Sequence, residues 1–181
     1  MALIMASPRT GKIPNIHESA FIAPNATIIG DVTIGEGTNV WFGAIIRADW
    51  GTIKIGKNTS IQENVTIHIE VGSEAIIGDN CIIGHHAMIH GPTIIEDGCL
   101  IGIGSNIINN TKIGEGSLIG AGAVVTNAEI PPRSLAVGIP AKVKKQLDPN
   151  GKPIGARTSG EYAKNGIKFK EFFEAHPELL K

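Results

Sequence analysis

IIGDNCIIGHHAMIHGPTIIEDGCLIGIGSNII, residues 76–108, carries an aliphatic side chain at every sixth position: Ile77, Ile83, Ile89, Ile95, Ile101 and Ile107. A period of six suits neither an amphipathic helix nor a simple alternating strand. It fits a solenoid whose coil has three flat faces, with about six residues to a face and about eighteen to a coil. Upstream the same spacing runs through Ile16, Ile22, Ile28, Ile34, Val40 and Ile46. It then slips by three to Ile55, Ile61 and Ile67, and by four before Ile77. Downstream it continues through Ile113, Ile119 and Val125; Pro131 takes the next place, and Val137 and Val143 close the series. These 21 anchors make about seven coils ending near Asp148.

Four residues after most anchors stands a small side chain, among them Ala20, Ala26, Ala44, Thr59, Cys81, Ala87, Cys99 and Ser105. Both cysteines belong to that column and lack CxxC spacing, so they read as small core residues rather than a zinc site or disulfide framework. Glycine directly after the anchor, as in Ile34-Gly35, Ile77-Gly78 and Ile113-Gly114, reads as backbone freedom for the corners. Composition agrees: 42% apolar residues with only 4% aromatic, and 23 glycines, describe an interior of aliphatic chains packed against backbone. The 16 basic and 17 acidic residues nearly cancel, so no basic field points to nucleic acid or a membrane surface.

MALIMASPRTGK, residues 1–12, has an apolar run too short for a signal peptide and no basic region ahead of it. No stretch of about 20 apolar residues is present to span a bilayer, and the expected address is cytoplasmic. The expected organisation is an N-terminal segment at 1–12, a β-helix domain at 13–148, and a linker with a C-terminal helix at 149–181. The helix is expected over about Glu161 to Ala175 with Ser159 as N-cap. Tyr162, Phe169, Phe172 and Phe173 make an apolar stripe that packs on the prism or a neighbouring subunit, and Gly166 weakens the helix by about 1 kcal/mol relative to alanine.

The histidines pose a problem of reach. Along an extended strand His85 and His90 lie about 16 Å apart, whereas zinc needs each imidazole nitrogen within about 2.1 Å. Stacked coils resolve it. With faces A, B and C starting at Ile16, Ile22 and Ile28, and the two slips bulged outward, His68 and His90 each follow a face C anchor. They are then neighbours in adjacent coils, about 4.8 Å apart, with Arg47 beneath them. His85 falls on face B, above Gln62, Glu63 and Asn64. If three prisms associate side by side, face C of one meets face B of the next, and the neighbour's His85 completes a three-histidine site. Three neutral imidazoles leave a zinc ion one open position, the catalytic rather than the structural pattern. His86 adjoins a ligand position without occupying one and reads as structural; the GIG of Gly102 to Gly104 follows the repeat rather than forming a nucleotide loop.

RAD at Arg47 to Asp49, IGKNTSIQEN at Ile55 to Asn64, His68, and GHHAMIHG at Gly84 to Gly91 together resemble the γ-class carbonic anhydrase family, over about residues 13–145. The resemblance implies a left-handed parallel β-helix, a homotrimer and a zinc ion, with iron(II) or cobalt also compatible with imidazole ligands. It makes His68 and His90 ligands from one subunit and His85 the ligand from the next. Arg47 and Asp49 match interface ion-pair residues, and Gln62 matches the glutamine that hydrogen-bonds the metal-bound solvent. Glu63 stands where the family usually has aspartate and could accept a proton or pair with Arg47 across the interface. Tyr162 matches a tyrosine able to approach the metal pocket. After His68, IEVGSEA is shorter than the family's acidic loop, leaving Glu70 and Glu74 as the local carboxylates in place of a proton-shuttling glutamate and lowering the expected turnover. The implied activity is a lyase reaction: reversible hydration of carbon dioxide to bicarbonate by a metal-bound hydroxide at the trimer interface. Alternatives are a hexapeptide-repeat acyltransferase using coenzyme A, a thioesterase, or a noncatalytic metal-binding trimeric scaffold.

Overall fold

Inward isoleucines set the register of the coils. In the computed structural model, which describes residues 1–180, Ile28, Ile46, Ile67, Ile89 and Ile107 are parallel hydrogen-bonded neighbours on face C, all fully buried. Ile61, Ile83, Ile101 and Ile119 stack likewise on face B, and Ile34, Ile55, Ile77, Ile95 and Ile113 on face A. A β-branched chain suits this pleated, one-sided packing. Removing each such side chain from water stabilises the coil by about 1.5–3 kcal/mol.

Faces C and A form one twelve-stranded sheet because Thr27–Ile34 and Ile45–Ile55 run unbroken around the corner between them; face B is a second sheet. Seven parallel strands on face B, from Phe21–Ile22 to Ser134–Gly138, mark seven coils, so the chain is a parallel β-helix followed by one α-helix. The slip of three emerges as residues 49–52, where register breaks opposite Gly30, and the slip of four as the turn after Ile69. Small-column hydroxyls and thiols donate to corner carbonyls, as Thr59 Oγ1 does to Gly78 O at 2.7 Å and Cys81 Sγ to Glu96 O at 3.2 Å. Both cysteines are free and buried. Within residues 1–12, Leu3–Met5 adds a parallel strand to face C against Thr27–Ile29. Ser7 Oγ then donates to Asp49 O at 3.2 Å, and the Arg9 guanidinium lies 3.9 Å over the Trp50 ring.

Three expectations about the coil are corrected. The repeat loses one residue near its end, so Ile113 pairs with Ile130 rather than Pro131, and Ile119 with Ala136 rather than Val137. Proline lacks the N–H that the ladder requires, and the shifted phase moves it into a corner. The chain then reverses, and Ala141–Gln146 runs antiparallel to Ser134–Gly138 with Val143 exposed instead of inward. At the corners, the left-handed residue is the third after the anchor: Gly37, Gly43, Asn58, Asn64, Asn80, His86, Gly98 and Gly104 have φ between +50° and +72°. The glycine directly after the anchor answers a need for space instead. A Cβ on Gly35 would stand 2.6 Å from Gly56 O in the next coil, and one on Gly84 would stand 2.7 Å from Ile101 O.

The C-terminal helix spans Ser159–Ala175, with Thr158 at the N-cap and no side-chain cap. Ser159 is buried in the first turn, because a 3₁₀ turn at Gly155–Arg157 already leads the chain into the helix. Tyr162, Phe169 and Phe173 pack with Phe42 on Phe21, Ala23 and Trp41, covering the lower part of face B, whereas Phe172 stays half exposed. Gly166 has a packing reason that offsets its helix cost: a Cβ there would stand 3.1 Å from the Cβ atoms of both Phe21 and Asn39. Among the described residues no helix is long and apolar enough to cross a membrane.

Candidate active site

Arg47, His68 and His90 stand in one outward column of face C, paired in register. The two imidazole centroids are 5.5 Å apart, with their planes at 79°. His68 Nδ1 lies 2.8 Å from the backbone oxygen of Arg47. A carbonyl oxygen can only accept, so Nδ1 carries the proton and Nε2 keeps its lone pair. His90 Nδ1 lies 2.7 Å from Asn109 Oδ1, and Asn109 Nδ2 donates to Glu70 Oε1. The second contact turns the amide oxygen toward His90, which gives that ring the same tautomer.

Arg47 Nη1 reaches both oxygens of Asp49, at 2.9 and 2.8 Å, so this ion pair closes within one subunit. Trp50 Nε1 donates to Asp49 Oδ2 at 2.6 Å. Burial raises the Asp49 carboxyl, but hydrogen bonding by its own backbone N–H, the Arg47 charge and the Trp50 indole outweigh it and hold the group below the usual carboxylate range. Trp50, His68, Ile69, Glu70, Val71 and His90 line a groove of about 430 Å³ over the column. Glu74, by contrast, faces out on face A and pairs with Lys54 at 2.5 Å, away from the imidazoles.

His85 lies on face B. Its Nδ1 is 2.7 Å from Glu63 Oε2, again an acceptor-only partner that leaves Nε2 free, and its backbone N–H donates to Gln62 Oε1 at 3.1 Å. Within the chain Glu63 therefore serves His85 rather than Arg47. Gln62, His85, Leu100, Ile103 and Tyr162 line one groove of about 280 Å³, and the Tyr162 ring rests edge-on against Trp41 at 6.2 Å. His86 holds the left-handed corner, with Nε2 3.5 Å from Asn64 Nδ2. Within one chain, no three metal-capable side chains converge among the described residues. Two imidazoles share face C, and the third is on another face.

The donor set suits a divalent transition metal. All three imidazoles offer Nε2 while Nδ1 is held by a carbonyl, an amide oxygen or a carboxylate, which is how metal-binding histidines are commonly oriented. Sequence reasoning missed Asn109. Its signal was a polar residue 19 positions after His90, one coil and one residue further on.

The class comes first from the repeat: the bacterial transferase hexapeptide model, of six repeats, matches residues 14–48 and 92–127. A solved structure from Bacillus cereus, provisionally named an acetyltransferase, superposes with a TM-score of 0.88 at 37% identity, covering 94% of this chain and 98% of that one. Among sequences, a carbonic anhydrase of Geobacillus kaustophilus is 41% identical over 166 residues, covering 92% of this chain and 91% of its own. A probable carbonic anhydrase of Methanocaldococcus jannaschii is 47% identical over 132 residues, 73% of this chain and 83% of its own. The chain belongs to the γ-class carbonic anhydrase family. It spans only 34%, 32% and 51% of the three mitochondrial gamma carbonic anhydrases of Arabidopsis thaliana that it also matches.

Proposed function

We propose that the protein is a metal-dependent, carbonic anhydrase-like enzyme acting as a homotrimer on carbon dioxide and bicarbonate. The observation that carries this reading is the shared setting of His68, His85 and His90, each with Nδ1 against an oxygen atom and Nε2 free. His68 and His90 of one subunit and His85 of the next would hold zinc, with iron(II) or cobalt as chemically equivalent occupants. When bound, the ion supplies Lewis-acid activation of water toward carbon dioxide. Glu63 keeps the His85 ring in place. Gln62 spends its amide oxygen on the His85 backbone, so its amide nitrogen is the end left to donate to a substrate oxygen. Tyr162 closes the same groove from the helix side.

The surface of face C supports association. Leu3, Met5 and Ile45 are exposed there and Ile29, Met88 and Ile108 half-buried, so outward apolar side chains flank the imidazole column. Such a patch on a surface marks a contact. Joining face C to a neighbour's face B is a heterologous contact that closes as a three-fold ring.

The test is stopped-flow carbon dioxide hydration on anaerobically purified protein, with metal content and sedimentation measured on the same sample. Metal-loaded trimers with activity are expected, and His90→Ala should lose both metal and hydration. Hydration indifferent to that substitution removes the reading. The likeness to the Bacillus cereus structure favours a second reading, acyl transfer from coenzyme A; chelation would leave that reaction intact, so acetyl-coenzyme A consumption with and without chelator separates the two.

A further inference from the structure

We infer that Glu70, acting through Asn109, is a positioning residue that selects the tautomer of His90 and so frees its Nε2; the use of that nitrogen for metal rests on the site proposed above. The three imidazoles differ in what holds them. His68 faces a backbone carbonyl and His85 a carboxylate, and both partners can only accept. Neither can be reversed. His90 faces a side-chain amide, which has an accepting end and a donating end. Turned the other way, Asn109 would present its NH₂ to the ring, Nδ1 would have to carry the lone pair, and the proton would sit on Nε2.

Glu70 removes that ambiguity. Its carboxylate accepts from Asn109 Nδ2, and a carboxylate cannot pair with the amide oxygen, so only one orientation of Asn109 satisfies both neighbours. The order of control runs from a fixed negative charge to an amide orientation, then to a proton position. Glu70 is placed for this by the four-residue insertion after Ile69: its carbonyl accepts from Ser73 N at 3.1 Å and from Ser73 Oγ at 2.9 Å, closing a turn whose first side chain stands in the groove beside His68 and His90. The short loop thus contributes a residue to ring orientation that lies 39 positions from its partner in sequence.

The experiment reads the histidine ring nitrogens of the metal-free protein by long-range ¹H–¹⁵N correlation at a pH of about 8, above the ordinary imidazole range. The parent protein should show His90 as a single Nδ1–H tautomer. Glu70→Ala should mix the two tautomers at His90 while leaving His68 unchanged. Glu70→Gln should mix them as well, because its amide, like that of Asn109, can present either a donor or an acceptor. Asn109→Asp in the Glu70→Ala background should restore it, since a carboxylate beside His90 needs no selector. Zinc affinity, from competition with a chromophoric chelator, should fall roughly 10- to 100-fold in Asn109→Ala and about tenfold in Glu70→Ala. A His90 that remains wholly Nδ1–H in Glu70→Ala overturns the inference. Tautomers that respond as described in a parent protein that binds no zinc uphold it and overturn the metal site instead.

Discussion

Faces A and C are both lined inside by stacked isoleucines and belong to one sheet, yet they present opposite surfaces. Outward on face A, Lys54 pairs with Glu74, and Lys112 with Glu96 at 3.0 Å and Glu129 at 3.8 Å, around Ile76 and Ile94. On face C half of the outward positions are apolar, and they flank Arg47, His68 and His90. An exposed ion pair adds little stability and keeps a surface in water, whereas an apolar rim around polar groups suits a surface that becomes covered. In a solenoid the inward residue of each pair builds the coil, and the outward one is free to specify what each face meets.

Substitutions can break that contrast, beginning with the shared interior. Ile67→Ala, beneath His68, should cost about 2–5 kcal/mol in urea unfolding, with a comparable loss for Ile95→Ala under face A, because the interior does not distinguish the faces. Outward substitutions should distinguish them. Met88→Glu on face C is expected to shift the protein toward monomer in sedimentation velocity with its helix and sheet circular dichroism retained, while Ile94→Glu on face A leaves association unchanged. Equal dissociation by both would end the contrast.

Subtler changes sharpen it. Glu63→Ala should weaken zinc binding by roughly 10- to 100-fold, by releasing His85 Nδ1, and a Glu63→Gln variant should recover part of that loss. The smallest effect is expected on face A. The Lys112 hydrogen bond, with the Glu115 backbone N–H and the Lys112 charge, holds the Glu96 carboxyl below its usual range against the upward push of burial. A depressed folded-state pKa stabilises the protein above the ordinary carboxylate pKa and is lost as pH falls through the folded value. Glu96→Gln should therefore lie slightly below the parent in stability at neutral pH, with the gap closing in acid as measured by thermal melts across pH 2 to pH 7.

Much of the architecture was legible because the repeat is local and short. The six-residue spacing located the inward column, and counting through the two slips placed His68 over Arg47 and His90 over His68, as the pairing has it. The end of the repeat was not legible. The missing residue before Ile130 leaves an aliphatic one position ahead of Pro131, and only ladder geometry decides between them. Corner chemistry was misassigned for a related reason: glycines after the anchor and glycines three later look alike in sequence, but the first answer to the next coil's carbonyl and the second to a positive φ.

Around the imidazoles the limit was different. Metal-capable residues are conspicuous by type, and their columns follow from arithmetic. Their orienting partners are not, because Asn109 and Glu70 are ordinary polar residues in corners and turns, brought to His90 from 19 residues after it and 20 before it. The assignment of Glu63 to His85 likewise depended on side-chain direction at a corner.

The amino-acid sequence by itself determined the coil, its three faces and the stacking of two histidines, since each follows from a period that every turn of the chain repeats. Tertiary structure alone decided where the protons sit on those histidines. Proton placement depends on whether the atom opposite Nδ1 donates or accepts, and that is set by the orientation of side chains that the coil carries together from distant positions.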